Sequence, residues 1–301
     1  MNNDHDGADG FETYRPKLFG VAYRMLGSAS EAEDVVQDAW LRFNGSARTH
    51  ELRSMEAFLT TIVTRLCLDR LKSARTTREE YVGPWLPEPL LVDDRSGPEQ
   101  SAVLAESVSL AFLVLLETLT PEERASFLLR EVFDYDYDTI ADMLGMSAAN
   151  CRQLVHRAKE RLQDRKPRFR EEARQKRELV GRFVTALRDG DPDGLTSVLA
   201  DDVALWSDGG GKVSAARRPV FGRDQVVQVM IGIRRTAPAM GYDLRQIGFQ
   251  LIDVNGEPSL ALRVEGRVDS IYTFEFEDGA IKALRIVRNP DKLRYIARQL
   301  H

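Results

Sequence analysis

Apolar positions recur at helical spacing through the first half of the chain. Ala32, Val35, Val36, Ala39, Trp40 and Phe43 fall at i, i+3, i+4, i+7, i+8 and i+11, one core-facing stripe. A loop at residues 27–30 precedes it, and Ser30 with Glu33 has the spacing of a capping box that satisfies the free N–H groups of a helix start. A second helix is predicted from near Ser54, with Phe58, Leu59, Ile62, Val63 and Leu66 turned inward and Thr61, Thr64, Arg65 and Lys72 on its other side. Periodicity then fails from Ser73 to about Gln100, where Gly and Pro accumulate as in a linker. Within it, residues 85–89 (WLPEP) set a large aromatic and a leucine in a stiff segment, which predicts docking on this chain or on another.

Helical pattern resumes near Ala102 and runs to Leu119; Thr120, Pro121 and Glu123 then supply an N-cap, a first-turn proline and a capping acid. A short helix over 137–144, Gly145 as its stop and Ser147 as the next cap read as helix, tight turn, helix. In the second of these, Cys151, Leu154, Val155, Ala158 and Leu162 face inward, leaving Ala149, Arg152, Gln153, His156 and Arg157 largely outward. The texture changes past Pro167. A helix carrying Leu179, Val180, Phe183 and Leu187 leads to a short helix near 195–199 and another over 224–235. Residues 242–254, 259–264, 268–276 and 281–287 are β-branched or aromatic-rich, with the hairpin dipeptides Asn255-Gly256 and Asp278-Gly279 between strands. Helices first and antiparallel strands later predict an α+β domain, closed by a terminal helix capped by Asn289 and Pro290.

Composition narrows the class. At 301 residues, with 43% hydrophobic and 30% charged positions, the chain is ordinary globular material for two or three domains. Two cysteines, Cys67 and Cys151, and four scattered histidines are too few for a disulfide framework or a clustered zinc site. No uncharged apolar run approaches the ~20 residues that cross a bilayer, and the amino terminus is acidic, so a cytoplasmic protein with no membrane partner is expected. The net charge of −5 hides a local segregation: over 151–170, eight Lys or Arg stand against Glu160 and Asp164. That stretch is either a solvated helix face with a basic linker or a cationic stripe for a polyanion.

The outward residues fit nucleic acid. Arg, Gln and His on an exposed helix suit base edges in a major groove, with downstream cations on phosphates, although helix-turn-helix geometry also serves plain packing. Hydroxyls and cations in the Thr61, Thr64, Arg65 stripe suit phosphate and sugar contacts. Asp34 and Asp38, one turn apart, form a like-charge pair that invites a cationic partner or is simply solvated.

Residues 17–72, with AYRMLGSASEAEDVVQDAWLRF and AFLTTIVTRLCLDRLKS, resemble domain 2 of an extracytoplasmic-function sigma factor, and 103–165, with LTPEERASFLLREVFDYDYDTIADMLGMSAANCRQLVHRAKERL, resemble its domain 4. The runs WLPEP at 85–89, DGGGK at 208–212 and NPDKL at 289–293 resemble the SigJ-like subgroup, which carries a fused SnoaL-like domain. The resemblance implies two all-α sigma domains, the second with a helix-turn-helix, and a C-terminal α+β cone barrel of the SnoaL/NTF2-like kind. The expected boundaries are 11–75, a linker over 76–101, 102–166, 172–289 and a tail helix over 290–301. It implies a non-enzymatic factor that directs core RNA polymerase to promoters without a cofactor. Asp34, Gln37 and Asp38 match the segment that binds the β′ clamp helices, with the β flap as a second polymerase contact. Arg53, Thr61, Thr64 and Arg65 match the reader of the −10 element, and Ala149, Arg152, Gln153, His156, Arg157 and Arg161 the reader of the −35 duplex.

For the third domain the resemblance implies cis regulation through Trp85, Leu86 and Pro87, through Asp208, Gly209, Gly210, Gly211 and Lys212, and through Asn289, Pro290, Asp291, Lys292 and Leu293. The glycine run lacks the spacing of a phosphate-binding loop and reads as a flexible loop or bulge. Any proton transfer here would fall to carboxylates such as Asp202 and Asp208 without a nearby histidine. Two other classes remain: a one-component ligand-sensing repressor, which has no use for residues 17–72, and a cyclase or isomerase with a DNA-binding arm, which needs a positioned acid or base.

Overall fold

The computed structural model describes residues 3–45, 54–91, 109–163 and 172–300. Arg53, the far part of the linker and the basic stretch after Gln163 lie outside them. The chain divides into two compact units: one holds residues up to Glu79 and from Phe112 to Lys166, the other holds Glu80–Val92 and Pro167–His301.

The first unit is all helix. Helices α1 (Asn3–Leu26), α2 (Ala29–Asn44) and α3 (Met55–Glu79) pack around Leu18, Val21, Met25, Val35, Phe43, Leu59 and Val63, all buried. The start of α2 differs from expectation. Ser28, not Ser30, is the N-cap, its Oγ accepting from Glu31 N at 3.1 Å, because the left-handed Gly27 (φ 68°) ends α1 and turns the chain two residues earlier. Helices α4 (Leu110–Leu116), α5 (Pro121–Glu131), α6 (Tyr137–Leu144) and α7 (Ala148–Gln163) follow. The capping box is present in full: Glu123 N donates to Thr120 Oγ1 at 3.2 Å and Thr120 N to Glu123 Oε2 at 3.0 Å. Asp136 caps α6, Gly145 stops it at φ 68°, and Ser147 Oγ receives Asn150 N at 3.2 Å, so the tight turn between α6 and α7 forms where the sequence puts it.

The second unit wraps one sheet around helices. Helices α8 (Ala173–Asp189), α9 (Pro192–Thr196) and α10 (Arg223–Thr236) accompany strands β1 (Leu199–Asp208), β2 (Val220–Phe221), β3 (Ile247–Val254), β4 (Glu257–Val264), β5 (Arg267–Glu277) and β6 (Ala280–Val287), in spatial order β2-β1-β6-β5-β4-β3. Val180 and Phe183 of α8 and Val226 and Met230 of α10 share a core with Leu205, Tyr272, Phe274, Leu284 and Ile286. Side chains alternate across a strand, so Ile271, Thr273 and Val287 point to the opposite face. They too are buried, and helix α11 (Pro290–Gln299) lies against β5.

Three expectations change here. The helix predicted near 195–199 sits earlier, at Pro192–Thr196, and Leu199 opens a strand that the sequence reading lacks. That strand pairs parallel with β6 while the other pairs are antiparallel, so the sheet is mixed. A register shift between Leu199 and Ala204 breaks the alternation that would have marked it. Residues 242–246 are not strand; Asp243 caps a short 3-10 turn by accepting Arg245 N at 2.9 Å. Asn255-Gly256 and Asp278-Gly279 make the expected left-handed turns, and Glu265-Gly266 (φ 51° and 78°) makes a third that was not anticipated.

Candidate functional site

The acidic face of α2 meets a cation within its own unit. Arg70 of α3 donates Nη2 to Asp38 Oδ2 at 2.9 Å and Nη1 to Glu31 O at 3.0 Å, with Asp34 Oδ2 at 4.0 Å. The repulsion between Asp34 and Asp38 is thereby offset while Asp34 stays exposed and Asp38 half-buried. Gln37, between them, lines a hollow of about 260 Å³ with Phe11, Val36 and Trp40.

The stripe on α3 is not a free surface. Thr61 Oγ1 donates back to Ala57 O at 2.7 Å. Thr64, expected outward, is fully buried, and its hydroxyl has no hydrogen-bond partner among the described residues. Arg65 donates Nε to Met143 O at 3.0 Å and Nη2 to Asp142 O at 3.4 Å, the C-terminal carbonyls of α6, where helix polarity favours a cation. A neighbouring chain of bonds runs from Thr60 Oγ1 to Tyr135 Oη (3.1 Å) and on to Glu56 Oε1 (3.0 Å), with Lys17 paired to Glu56 and 4.9 Å above the Tyr135 ring. The hydrogen bond from Lys17 holds the Glu56 carboxyl below the usual range despite partial burial. The reason for the correction is that α3 packs on two sides, and its second side is against the α5–α6 loop and α6.

Helix α7 contrasts with this. Ala149, Arg152, Gln153, His156 and Arg157 are all exposed. Arg152 lies 5.2 Å from the centre of the Tyr137 ring, and Arg130 stands 5.1 Å from the same ring. Arg161 is engaged: its Nη1 binds Glu123 Oε2, the capping-box carboxylate, at 2.7 Å.

In the second unit the three sequence runs converge on Asp208, the fully buried last residue of β1. Its Oδ1 accepts from Tyr81 Oη at 2.6 Å and Gly210 N at 3.0 Å; its Oδ2 accepts from Leu86 N at 2.9 Å and Lys292 Nζ at 2.7 Å. Lys292 Nζ also donates to Leu86 O at 2.5 Å and lies 4.2 Å from the Trp85 ring and 4.8 Å from the Tyr81 ring. Asn289 caps α11 through Asp291 N and donates Nδ2 to Tyr81 Oη at 2.8 Å. Glycine is required twice. A Cβ on Gly210 (φ 58°) would sit 2.2 Å from Asn289 Nδ2, and one on Gly209 would sit 2.5 Å from Val213 O. Lys212 pairs with Asp291, and that hydrogen bond lowers the Asp291 carboxyl. Burial, reinforced by the bond to Asp208, pushes the Tyr81 phenol up. Farther along, Leu90 and Asn255 exchange bonds of 2.8 and 3.2 Å and Leu91 bridges Val254, so the linker extends the β3 edge.

Sequence reasoning missed Arg70, Tyr135 and Tyr81. Each is a lone polar residue whose partner is remote in the chain, and no local spacing marks it.

Comparison with known proteins fits this geometry. Residues 11–77 match the family model of Sigma-70 region 2, and residues 109–162 that of Sigma-70, region 4. The ECF RNA polymerase sigma factor SigJ of Mycobacterium tuberculosis is 36% identical, with 94% of this chain and 91% of SigJ covered. A probable ECF sigma factor, SigI, of the same species is 30% identical over 94% of this chain and 93% of its own length. A crystal structure of M. tuberculosis SigJ superposes with a TM-score of 0.74 at 36% identity, covering 95% of this chain and 98% of that one. The chain therefore belongs to the ECF RNA polymerase sigma factors. Its first unit carries the two sigma regions, and its second is an α+β unit with one mixed sheet wrapped around helices.

Proposed function

We propose that this sigma factor brings core RNA polymerase to promoters through the α2 face and reads −10 and −35 elements from α3 and α7. We further propose that the second unit governs it in cis by seating the linker. Asp34, Gln37 and Asp38 face the β′ clamp helices, and the helix-turn-helix module meets the β flap. The site of action is the cytoplasm, where polymerase and chromosome lie. The observation that carries the cis control is the Asp208 carboxylate, whose four donors come from the linker, the glycine loop and α11. Residues 81–91 tether α3 to α4. While they are fixed to the sheet, the chain left to separate the two sigma regions is shorter, because an extended residue spans at most ~3.6 Å.

A regulatory rather than catalytic second unit is supported by the state of its carboxylates. Asp208 is buried and fully hydrogen-bonded, and Asp202 is tied to Lys282 at the surface. The basic α7 surface predicts binding that weakens with salt. Transcription in vitro with core polymerase tests the reading: the full chain is expected to co-purify with core and to start transcripts at defined promoters. Failure to assemble with core under all salt conditions overturns it. Unchanged output and unchanged promoter spacing in Asp208→Asn would overturn the cis control alone.

A further inference from the structure

The three exposed arginines of α7 are held in three different ways. Arg161 spends Nη1 on the capping-box carboxylate of Glu123. Arg157 makes no hydrogen bond or ion pair among the described residues. Arg152 is equally without such a partner among them, yet its guanidinium lies over the Tyr137 ring, 5.2 Å from the centre. The quadrupole of a ring attracts the cation as a whole, so the contact restrains Arg152 while its N–H donors stay available. The ring is itself fixed. Tyr137 opens α6 and packs against the helix-turn-helix core of Leu129, Ile140, Met143 and Cys151. Arg130 of α5 lies 5.1 Å from the same ring and is anchored in turn, its Nη1 donating to Tyr135 O at 3.0 Å.

We propose that Tyr137 is the positioning residue for Arg152 and thereby sets a preference for guanine at one base pair of the −35 duplex. The inference rests on the reading of α7 given above and deepens it. Arg152 shares a helix face with Ala149 and His156, at i−3 and i+4. Its planar fork matches O6 and N7 of guanine, two acceptors side by side in the major groove. An unrestrained arginine gives up rotamer freedom to take that pose, and one already held over a ring gives up less. Tyr137 acts through Arg152 and reads no base itself. Arg157, which nothing restrains, suits a phosphate instead, a contact that carries no sequence information.

The test uses the full chain assembled with core polymerase, which selects from a randomised duplex pool while enrichment is read base pair by base pair. Arg152→Ala should abolish a guanine preference at one position, and so identifies that position. Tyr137→Leu should lower the same preference about two- to fivefold, the worth of an exposed cation–π contact. Preferences elsewhere and the salt dependence of binding should not move, because no phosphate contact is lost. Tyr137→Phe keeps the ring and should retain the guanine preference. In the Arg152→Ala background, Tyr137→Leu should have no further effect, as expected when one residue acts only through the other. An unchanged guanine preference in Tyr137→Leu would overturn the proposal. So would a loss spread evenly over all positions, which marks a merely structural role, or a Phe variant that behaves like Leu. Unaltered preferences in Arg152→Ala would instead remove the reading of α7 as the −35 reader, and the proposal with it.

Discussion

Two lysine–aspartate pairs in the second unit use the same chemistry to different ends. Lys292 and Asp208 are 10% and 0% exposed, and their contact at 2.7 Å is one of four that fill the carboxylate. Lys282 and Asp202 are 31% and 71% exposed, and Lys282 divides itself between Asp202 and Glu277. Asp202 and Lys282 join neighbouring strands at the surface. Asp208 joins the end of a strand to a linker, a glycine loop and a helix that are far apart in sequence. Burial, more than the ion pair itself, decides which of the two organises structure.

The largest break in that comparison is Asp208→Asn. The exchange removes a charge beside the buried ammonium and turns one acceptor into a donor facing Leu86 N and Lys292 Nζ or Tyr81 and Gly210. Loss of one member of a buried pair costs about 3–5 kcal/mol, read as a lower denaturation midpoint together with faster proteolysis at residues 81–91. Asp208→Asn with Lys292→Met should recover part of the loss, because an apolar side chain replaces the buried cation. If the single variant were as stable as wild type, Asp208 would not be the organising residue.

Gly210→Ala comes next. The methyl group meets Asn289 Nδ2 and the backbone sits at φ 58°, so strain of about 1–3 kcal/mol is expected, along with loss of the Asn289–Tyr81 bond. Gly145→Ala, also left-handed but with open space around its Cβ, is the control and should cost less.

Tyr81 sharpens the contrast through pH. Its folded phenol titrates above the ordinary value, chiefly from burial and then from the hydrogen bond and charge of Asp208. A raised pKa means that the contribution is complete below the unfolded value, about 10, and is lost as pH rises toward the folded one. Wild type should therefore release the linker in alkaline solution above that point, as read by protease sensitivity. Tyr81→Phe should start weaker and show a shallower alkaline loss.

Much of this was legible in the sequence, and what was not has physical causes. Helices with punctuated ends, such as α5 with Thr120, Pro121 and Glu123 or α6 with Gly145, could be placed because cap and stop are local. The three runs that meet at Asp208 could be picked out by resemblance, but their meeting could not: Tyr81 and Asp208 are 127 residues apart. Strand β1 was missed because its partner β6 is parallel and distant and its alternation is broken near Asp201 and Asp202. Periodicity also misplaced Thr64. It separates two faces of a helix but cannot tell that a second module covers the polar one.

The smallest effect is expected from Asp202→Asn, and it is the most informative control. The hydrogen bond from Lys282 lowers the Asp202 carboxyl, so its contribution is present above the unfolded carboxylate range and fades as pH falls through the folded value. An exposed pair of this kind is worth less than about 1 kcal/mol after screening. Glu277, at 3.3 Å from Lys282, takes over part of the lost attraction. Urea unfolding should show a small deficit at neutral pH and low salt that vanishes in high salt, where screening confines interaction between exposed charges to a few ångströms. The deficit of Asp208→Asn should survive the same salt, because the surrounding protein keeps ions out. Equal salt sensitivity of the two variants would mean that Asp208 is solvated in solution and that the linker leaves its seat without any signal.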